Sequence, residues 1–392
     1  MTEPVGPAPG KDGPPAIPLI PGLADVPAAR SSICFIDGDA GVLEYRGYPI
    51  EVLAERSTFE ETSYLLLWGQ LPDRAELERF TRDLSTNRDV RFRLIDLLKC
   101  LPDTGHPMEA LQAAIAALGM FYPDRDPLHE TDRYHSSVRL IAKAPTLVAA
   151  YHRLSHGKDY IPPKEGLGHA ENFLYMLTGE VPEADVARVL DVCLILHAEH
   201  SLNASTFAGR VTASTLADPY TVVSSAIGAL TGPLHGGANE QVIHMLQRIG
   251  EPAQVRPIIE DLIHRKQKIM GVGHRIYRVK DPRALVLQKL ASHMIAKRGA
   301  NKLLAVAQEV EKVVAEHLAA RKIYPNVDFY SGVVYEAMGL PSALFTPIFA
   351  IARVSGWLAH WLEQLVDNRI YRPGQIYSGT HGERYVPLDE RG

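Results

Sequence analysis

Apolar residues follow two different rhythms along this chain. Over residues 31–50, SSICFIDGDAGVLEYRGYPI, two β-leaning runs flank the turn signal DGDAG, which predicts a short hairpin. Beyond Pro49 the spacing changes to three and four residues nearly everywhere, which predicts helices. TFEETSYLLLWG opens on Thr58 with Glu61 three residues on, the pattern of a capping box. MEALQAAIAALG and RVLDVCLILHAEH are strongly apolar and predict buried helices. ADPYTVVSSAIGALTG starts with Asp218 as N-cap and Pro219 at the first helical position. DPRALVLQKLASHMIAKRG repeats that device and ends at Gly299. ARVSGWLAHWLEQLVDN sets Val354, Leu358, Trp361, Leu362 and Leu365 on one face. No repeat of fixed period is evident, which argues against a solenoid. At about 10–14 residues each, roughly fifteen to twenty helices are expected in an all-α chain.

Small residues crowd ASTFAGRVTAS and TVVSSAIGAL, so these two helices can approach closely. A helical dimer core and a tight internal crossing are both compatible with that pattern. Pro and Gly dominate the first twenty residues, which read as a flexible tail rather than a signal peptide or an Arg-rich presequence. The last stretch, NRIYRPGQIYSGTHGERYVPLDERG, loses the helical period. Pro373 biases Arg372 toward extended backbone, and an extended arm is expected there.

Composition adds limits. With 392 residues, 46% hydrophobic and 22% charged, the chain can bury a large core. A net charge of −5 with scattered Lys and Arg argues against nucleic-acid binding. An anionic ligand would then need local arginines. No stretch approaches the roughly 20 apolar residues of a membrane span, and a soluble cytoplasmic protein is the default. Cys34, Cys100 and Cys193 are far apart and lack CxxC spacing, so three buried thiols are expected rather than a disulfide or zinc site.

Four polar stretches interrupt the helices: HAEHSLNAS, GPLHGGANE, GVGHRIYRVKDPRA and NVDFYSG. Arg283 falls in the first turn of the Asp281-Pro282 helix, where a cation is unfavourable unless an anion lies in front of it. A solvated Arg283 is the simpler reading for an isolated case. His274 follows two glycines that permit unusual backbone angles, and Arg275 and Arg278 come after it, a pattern that suits a phosphate-bearing ligand. Asp328 reads either as a first-turn helix acid or as a general base. His197 and His200 are three apart on one helix face; without a third ligand at standard spacing, His197 reads as a satisfied core histidine.

Together these stretches, with FAIARVSGWLAHWLEQ, closely resemble the citrate synthases over about residues 30–380, a likeness shared with 2-methylcitrate synthases. The resemblance implies a nearly all-helical homodimer with two domains per subunit and a cleft that closes on substrate. The boundaries expected are 1–22 for the flexible tail, 23–235 with 340–392 for the large domain and its arm, and 236–339 for the small domain. It implies that His235 hydrogen-bonds the thioester oxygen of acetyl-CoA, that Asp328 removes the methyl proton and that His274 polarises the oxaloacetate ketone. His200, Arg283 and Arg353 resemble oxaloacetate-binding groups, and Arg372 resembles an arginine supplied across the dimer. Arg278, with Gly271, Val272 and Gly273, resembles part of the coenzyme A site. Coenzyme A thioester is then a co-substrate, and neither a permanent cofactor nor a metal is needed.

The expected reaction is condensation of acetyl-CoA with oxaloacetate, then hydrolysis of citryl-CoA. A methyl thioester is a very weak acid, so a base alone is insufficient and the enolate must be stabilised as it forms. His235, beside a helix N-terminus that disfavours imidazolium, is expected to act as a neutral N–H donor. A 2-methylcitrate synthase and a non-catalytic acyl-CoA-binding protein are the alternatives. The chain resembles the short prokaryotic type, without the β domain of the NADH-regulated hexamers or a mitochondrial presequence.

Overall fold

A computed structural model of the chain describes residues 19–298 and 302–391. Residues 1–18 of the predicted tail, and Gly299 at the predicted helix end, lie outside the described residues. The described chain falls into two compact units, one built from residues 19–30 with 371–391 and the other from Ser31–Ile370.

The hairpin forms where the alternating pattern places it. Strands β1 (Cys34–Asp37) and β2 (Val42–Tyr45) pair antiparallel, with Cys34 opposite Tyr45 and Asp37 opposite Val42. A two-residue β3 (Tyr48–Pro49) extends the sheet. Sixteen α-helices follow among the described residues. The first eight are α1 (Ile50–Arg56), α2 (Phe59–Trp68), α3 (Arg74–Thr86), α4 (Phe92–Lys99), α5 (Pro107–Leu118), α6 (Glu130–Leu154), α7 (His169–Thr178) and α8 (Ala184–His197). Then come α9 (Ala204–Ala213), α10 (Pro219–Leu230), α11 (Ala238–Ile249), α12 (Pro252–His264), α13 (Pro282–Arg298), α14 (Lys302–Leu318), α15 (Val327–Ala337) and α16 (Phe345–Val366).

Capping explains the starts. Asp218 Oδ1 accepts from Tyr220 N and Thr221 N ahead of α10, and Asp281 Oδ1 accepts from Arg283 N ahead of α13. At Thr58 the hydroxyl accepts from Glu61 N at 3.2 Å; this is one half of the predicted box.

The small residues of α9 and α10 serve an internal crossing, since a Cβ on Gly209 would meet Ala226 Cβ at 3.6 Å and Val222 Cγ1 at 3.7 Å. Helix α16 differs from its expected one-sided pattern. It packs against α2, α6, α8, α9 and α10, and every residue from Phe345 to Trp361 is buried. The segment Ser342–Val366 is long and apolar enough to span a membrane, contrary to the expectation of no such stretch, but 89% of its most apolar window is buried inside the protein. It is apolar all round because helices surround it.

The thiols also depart from expectation. Cys193 is buried and Cys34 partly so, but Cys100 is exposed. It follows the last residue of the amphipathic α4, on the side turned to solvent. Residues 368–391 carry no regular element except a 3-10 turn at Leu388–Glu390.

Candidate active site

The four polar stretches meet where their helices begin or end. Helix α8 stops at His197, so His197 and His200 do not share a helix face as the spacing suggested. The chain turns through Ser201, at φ +51°, and restarts at Asn203, whose Oδ1 accepts from Thr206 N. His197 remains in the core, its Nδ1 2.7 Å from Cys193 O. His200 is buried beside the 271–280 segment, where its ring centroid is 5.2 Å from that of His274 and its Nε2 is 3.3 Å from the Tyr277 hydroxyl.

The 271–280 segment is held by the strand-like approach to α15. Gly271 and Gly273 take φ of +72° and +91°, which side chains disfavour. Gly273 N donates to Tyr324 O at 2.8 Å, Asn326 N to Gly271 O at 2.9 Å and Asn326 Nδ2 to Gly273 O at 2.9 Å. The same Asn326 caps α15 by accepting from Asp328 N at 3.0 Å. One asparagine therefore ties the His274 segment to Asp328. His274 Nδ1 accepts from Ile276 N at 3.0 Å and Tyr277 N at 3.2 Å. A neutral ring with those contacts carries its proton on Nε2.

His235 lies in the turn before α11. Its ring reaches across to the start of α9, with Nε2 2.8 Å from Ser205 Oγ and 3.2 Å from Asn203 Oδ1. Trp357 Nε1 donates to Ser205 Oγ at 3.1 Å. The glycines around it allow close packing: a Cβ on Gly236 would be 2.6 Å from Leu230 O.

Two arginines are buried here. Arg283 is 2% exposed and Arg353 1%, so neither is solvated as an isolated surface arginine would be. Arg283 is paired with its own helix cap, Nη2 to Asp281 Oδ2 at 2.7 Å and Nε to Asp281 Oδ1 at 3.1 Å. The unfavourable first-turn cation is offset by Asp281, so its position alone does not require a ligand. Arg353 Nε donates to His197 O at 2.7 Å, and its guanidinium lies 4.8 Å from the Phe349 ring centroid. Its Nη1 is buried without a hydrogen-bond partner among the described residues. Phe349 also packs edge-on to His197 and His235.

Burial sets the protonation states. His235 is pushed down to about 4 by desolvation, then by Arg353, and His274 to about 4 by desolvation, then by Arg283. His200 is lowered well below its ordinary value, again chiefly by desolvation. Asp328 moves the other way, to about 6, because desolvation disfavours its carboxylate. Its Oδ1 is buried with no hydrogen-bond partner among the described residues. The expected neutrality of His235 therefore has burial as its main cause, with α9 rather than α11 at its ring.

His200, His235, His274, Arg283, Asp328 and Arg353 are thus brought into one charged neighbourhood. Arg278 is exposed at its edge. Arg372 belongs to the other unit, where it is exposed. Sequence reasoning missed Ser205, Asn203, Asn326, Tyr277 and Phe349 as supports, although HAEHSLNAS and GVGHRIYR contain three of them. It also missed Glu199 and His360, both buried, joined at 2.9 Å with Arg210 donating to the other ring nitrogen of His360. Among the described residues no group of three or more His, Cys, Asp or Glu could hold a metal ion.

Comparison with known proteins gives a consistent result. A family model described as "Citrate synthase, C-terminal domain" matches residues 22–374. A citrate synthase of Synechocystis sp. is 56% identical over 373 residues, covering 94% of this chain and 93% of that protein. The crystal structure of citrate synthase from Pyrobaculum aerophilum superposes with a TM-score of 0.92 at 44% identity, covering 97% of each chain. A ternary complex of Thermoplasma acidophilum citrate synthase with carboxymethyl coenzyme A and oxaloacetate has a TM-score of 0.90 at 32% identity, covering 94% of this chain and 98% of that one.

Proposed function

The chain belongs to the citrate synthase family, and from that premise we propose how its own residues carry the reaction. The enzyme is an acyltransferase. It condenses acetyl-CoA with oxaloacetate and hydrolyses citryl-CoA to citrate and coenzyme A. Its relatives carry the name citrate synthase, and the 2-methylcitrate alternative is not favoured.

Asp328 takes the methyl proton. With a pKa of about 6 it is a stronger base than a surface aspartate and is still mostly ionised at pH 7. His235 donates Nδ1–H to the thioester oxygen as charge develops there. That tautomer requires Ser205 Oγ to give its one proton to Nε2 rather than to Asn203 Oδ1, each 2.8 Å away, with Trp357 Nε1 donating to Ser205 in turn. His274 presents Nε2–H to the ketone oxygen, making the ketone carbon electrophilic toward the enolate.

Arg283, Arg353 and His200 hold the oxaloacetate carboxylates. The Nη1 of Arg353, buried and otherwise unbonded, suits a charge-assisted bond to one of them. Arg372 completes the site from the partner subunit of a homodimer. Arg278 with Gly271, Val272 and Gly273 contacts coenzyme A, a co-substrate rather than a resident cofactor. Residues 23–235 with 340–392 form the large domain and 236–339 the small, cleft-closing one, in a cytoplasmic enzyme.

The observation that carries this reading is one cluster holding an aspartate raised to about 6 and two imidazoles lowered to about 4. Base and neutral N–H donors then coexist at neutral pH. The test is release of free thiol from acetyl-CoA or propionyl-CoA with oxaloacetate. Faster turnover with acetyl-CoA is expected; a propionyl preference or no release from either rejects the assignment.

A further inference from the structure

The turn between β1 and β2, DGDAG, is used by no step of the proposed reaction. Asp37 Oδ1 accepts from Asp39 N at 3.0 Å and Ala40 N at 2.9 Å, which fixes the tip as an Asx turn. The tip is seated on the backbone that follows His274. Gly38 O accepts from Arg278 N at 2.8 Å. A Cβ on Gly38 would lie 2.3 Å from Ile276 O and 2.8 Å from its carbonyl carbon. One on Gly41, which has φ +71°, would lie 2.7 Å from Val279 Cγ2. Asp39 faces Lys322, with Oδ1 3.6 Å from Nζ.

Behind this contact is His274. Its Nδ1 is oriented by the N–H groups of Ile276 and Tyr277. Ile276 therefore has two neighbours: its carbonyl abuts Gly38, and its N–H holds the catalytic ring. We propose that the β1–β2 turn is a positioning element for His274. Gly38 and Gly41 set the path of residues 276–279, and through it the direction of His274 Nε2–H toward the ketone. At Gly38 a side chain would meet backbone, which cannot rotate away; at Gly41 it would meet a valine methyl and would also have to adopt φ +71°, which side chains disfavour. The inference rests on the assignment of His274 as the ketone-polarising group.

The test uses Gly38→Ala in the full-length enzyme. Ile276 must retreat by about 0.7 Å to bring the new contact to 3.0 Å, which real Cβ atoms essentially never undercut. A misplacement on the order of 1 Å at a reacting group costs on the order of 100-fold in rate. The readouts are kcat, KM and the 13C resonance of bound oxaloacetate labelled at its ketone carbon. Expected are a fall in kcat of about tenfold to 100-fold and a return of the resonance toward its free value. A merely structural role would not move that resonance. Asp37→Ala loosens the tip without adding volume and should give the same pair of changes at about threefold to tenfold; it decides the matter if Gly38→Ala does not fold. His274→Ala is the reference. If it moves the resonance while both turn variants leave resonance and kcat unchanged, the proposal is overturned and the role of His274 stands. If His274→Ala leaves the resonance unmoved, the assignment of His274 fails and the proposal with it.

Discussion

Asp328→Asn should make this protein more stable while removing its activity. Burial raises the Asp328 carboxyl from 3.8 to about 6. The folded protein therefore binds a proton more readily than the unfolded chain between those two values, and stability falls as pH rises through that window. Below 3.8 both states are protonated and nothing is lost. Above about 6 both are ionised, and the full cost applies, about 3 kcal/mol at 1.36 kcal/mol per tenfold change. Asparagine is nearly isosteric and does not titrate. The variant should gain up to about 3 kcal/mol at pH 7.5 and roughly half of that at pH 5. For a chain of this length, 3 kcal/mol corresponds to about 4 °C in Tm. Denaturant unfolding at both pH values measures the gain. The same enzyme should lose on the order of 100-fold to 10,000-fold in kcat, since an amide cannot accept the methyl proton. No gain at pH 7.5, or an equal gain at both pH values, would refute the claim that desolvation of the charged base is the cause.

Three other outcomes follow from the same geometry. The pH profile of kcat/KM for acetyl-CoA should show one acid limb near pH 6, with activity about tenfold down at pH 5; His235 and His274, at about 4, should add no second limb above it. Gly356→Ala would set a Cβ 2.2 Å from Ala198 O and 2.5 Å from Glu199 Oε2, so it should destabilise by about 1–3 kcal/mol and raise KM for oxaloacetate as α16 carries Arg353 away, both measurable by thermal unfolding and steady-state kinetics. A mixed dimer should show whether Arg372 acts in trans: Arg372→Ala on a subunit already inactivated at Asp328 should impair its wild-type partner, and full activity of that partner would place Arg372 in cis.

Much of this protein is legible from residue order, because the signals are local. Helix starts at Asp218 and Asp281 depend on a cap and a proline within two residues. The β1–β2 hairpin depends on alternation and a turn signal, and glycines at 271 and 273 announce positive φ. The residue types that polarise a ketone, stabilise an enolate and remove a weakly acidic proton were also visible, as was their likeness to one family. The fate of His200 was not, because the end of α8 at His197 follows from packing rather than from any breaker in HAEHS. The same holds for α16: its sequence shows an apolar stripe, but its burial on every side depends on which helices surround it.

Tertiary structure alone decided the chemistry's energetics. A pKa depends on desolvation and on charges brought in from distant parts of the chain, so Asp328 at about 6 and His235 at about 4 could not be read from neighbours in sequence. It also decided that Arg283 is buried, that Ser205 supports a histidine thirty positions away, and that a hairpin tip near residue 38 abuts the segment holding His274. Sequence specifies which groups are present and where local elements begin. Which groups lose water, and which face one another, is a property of the packed chain.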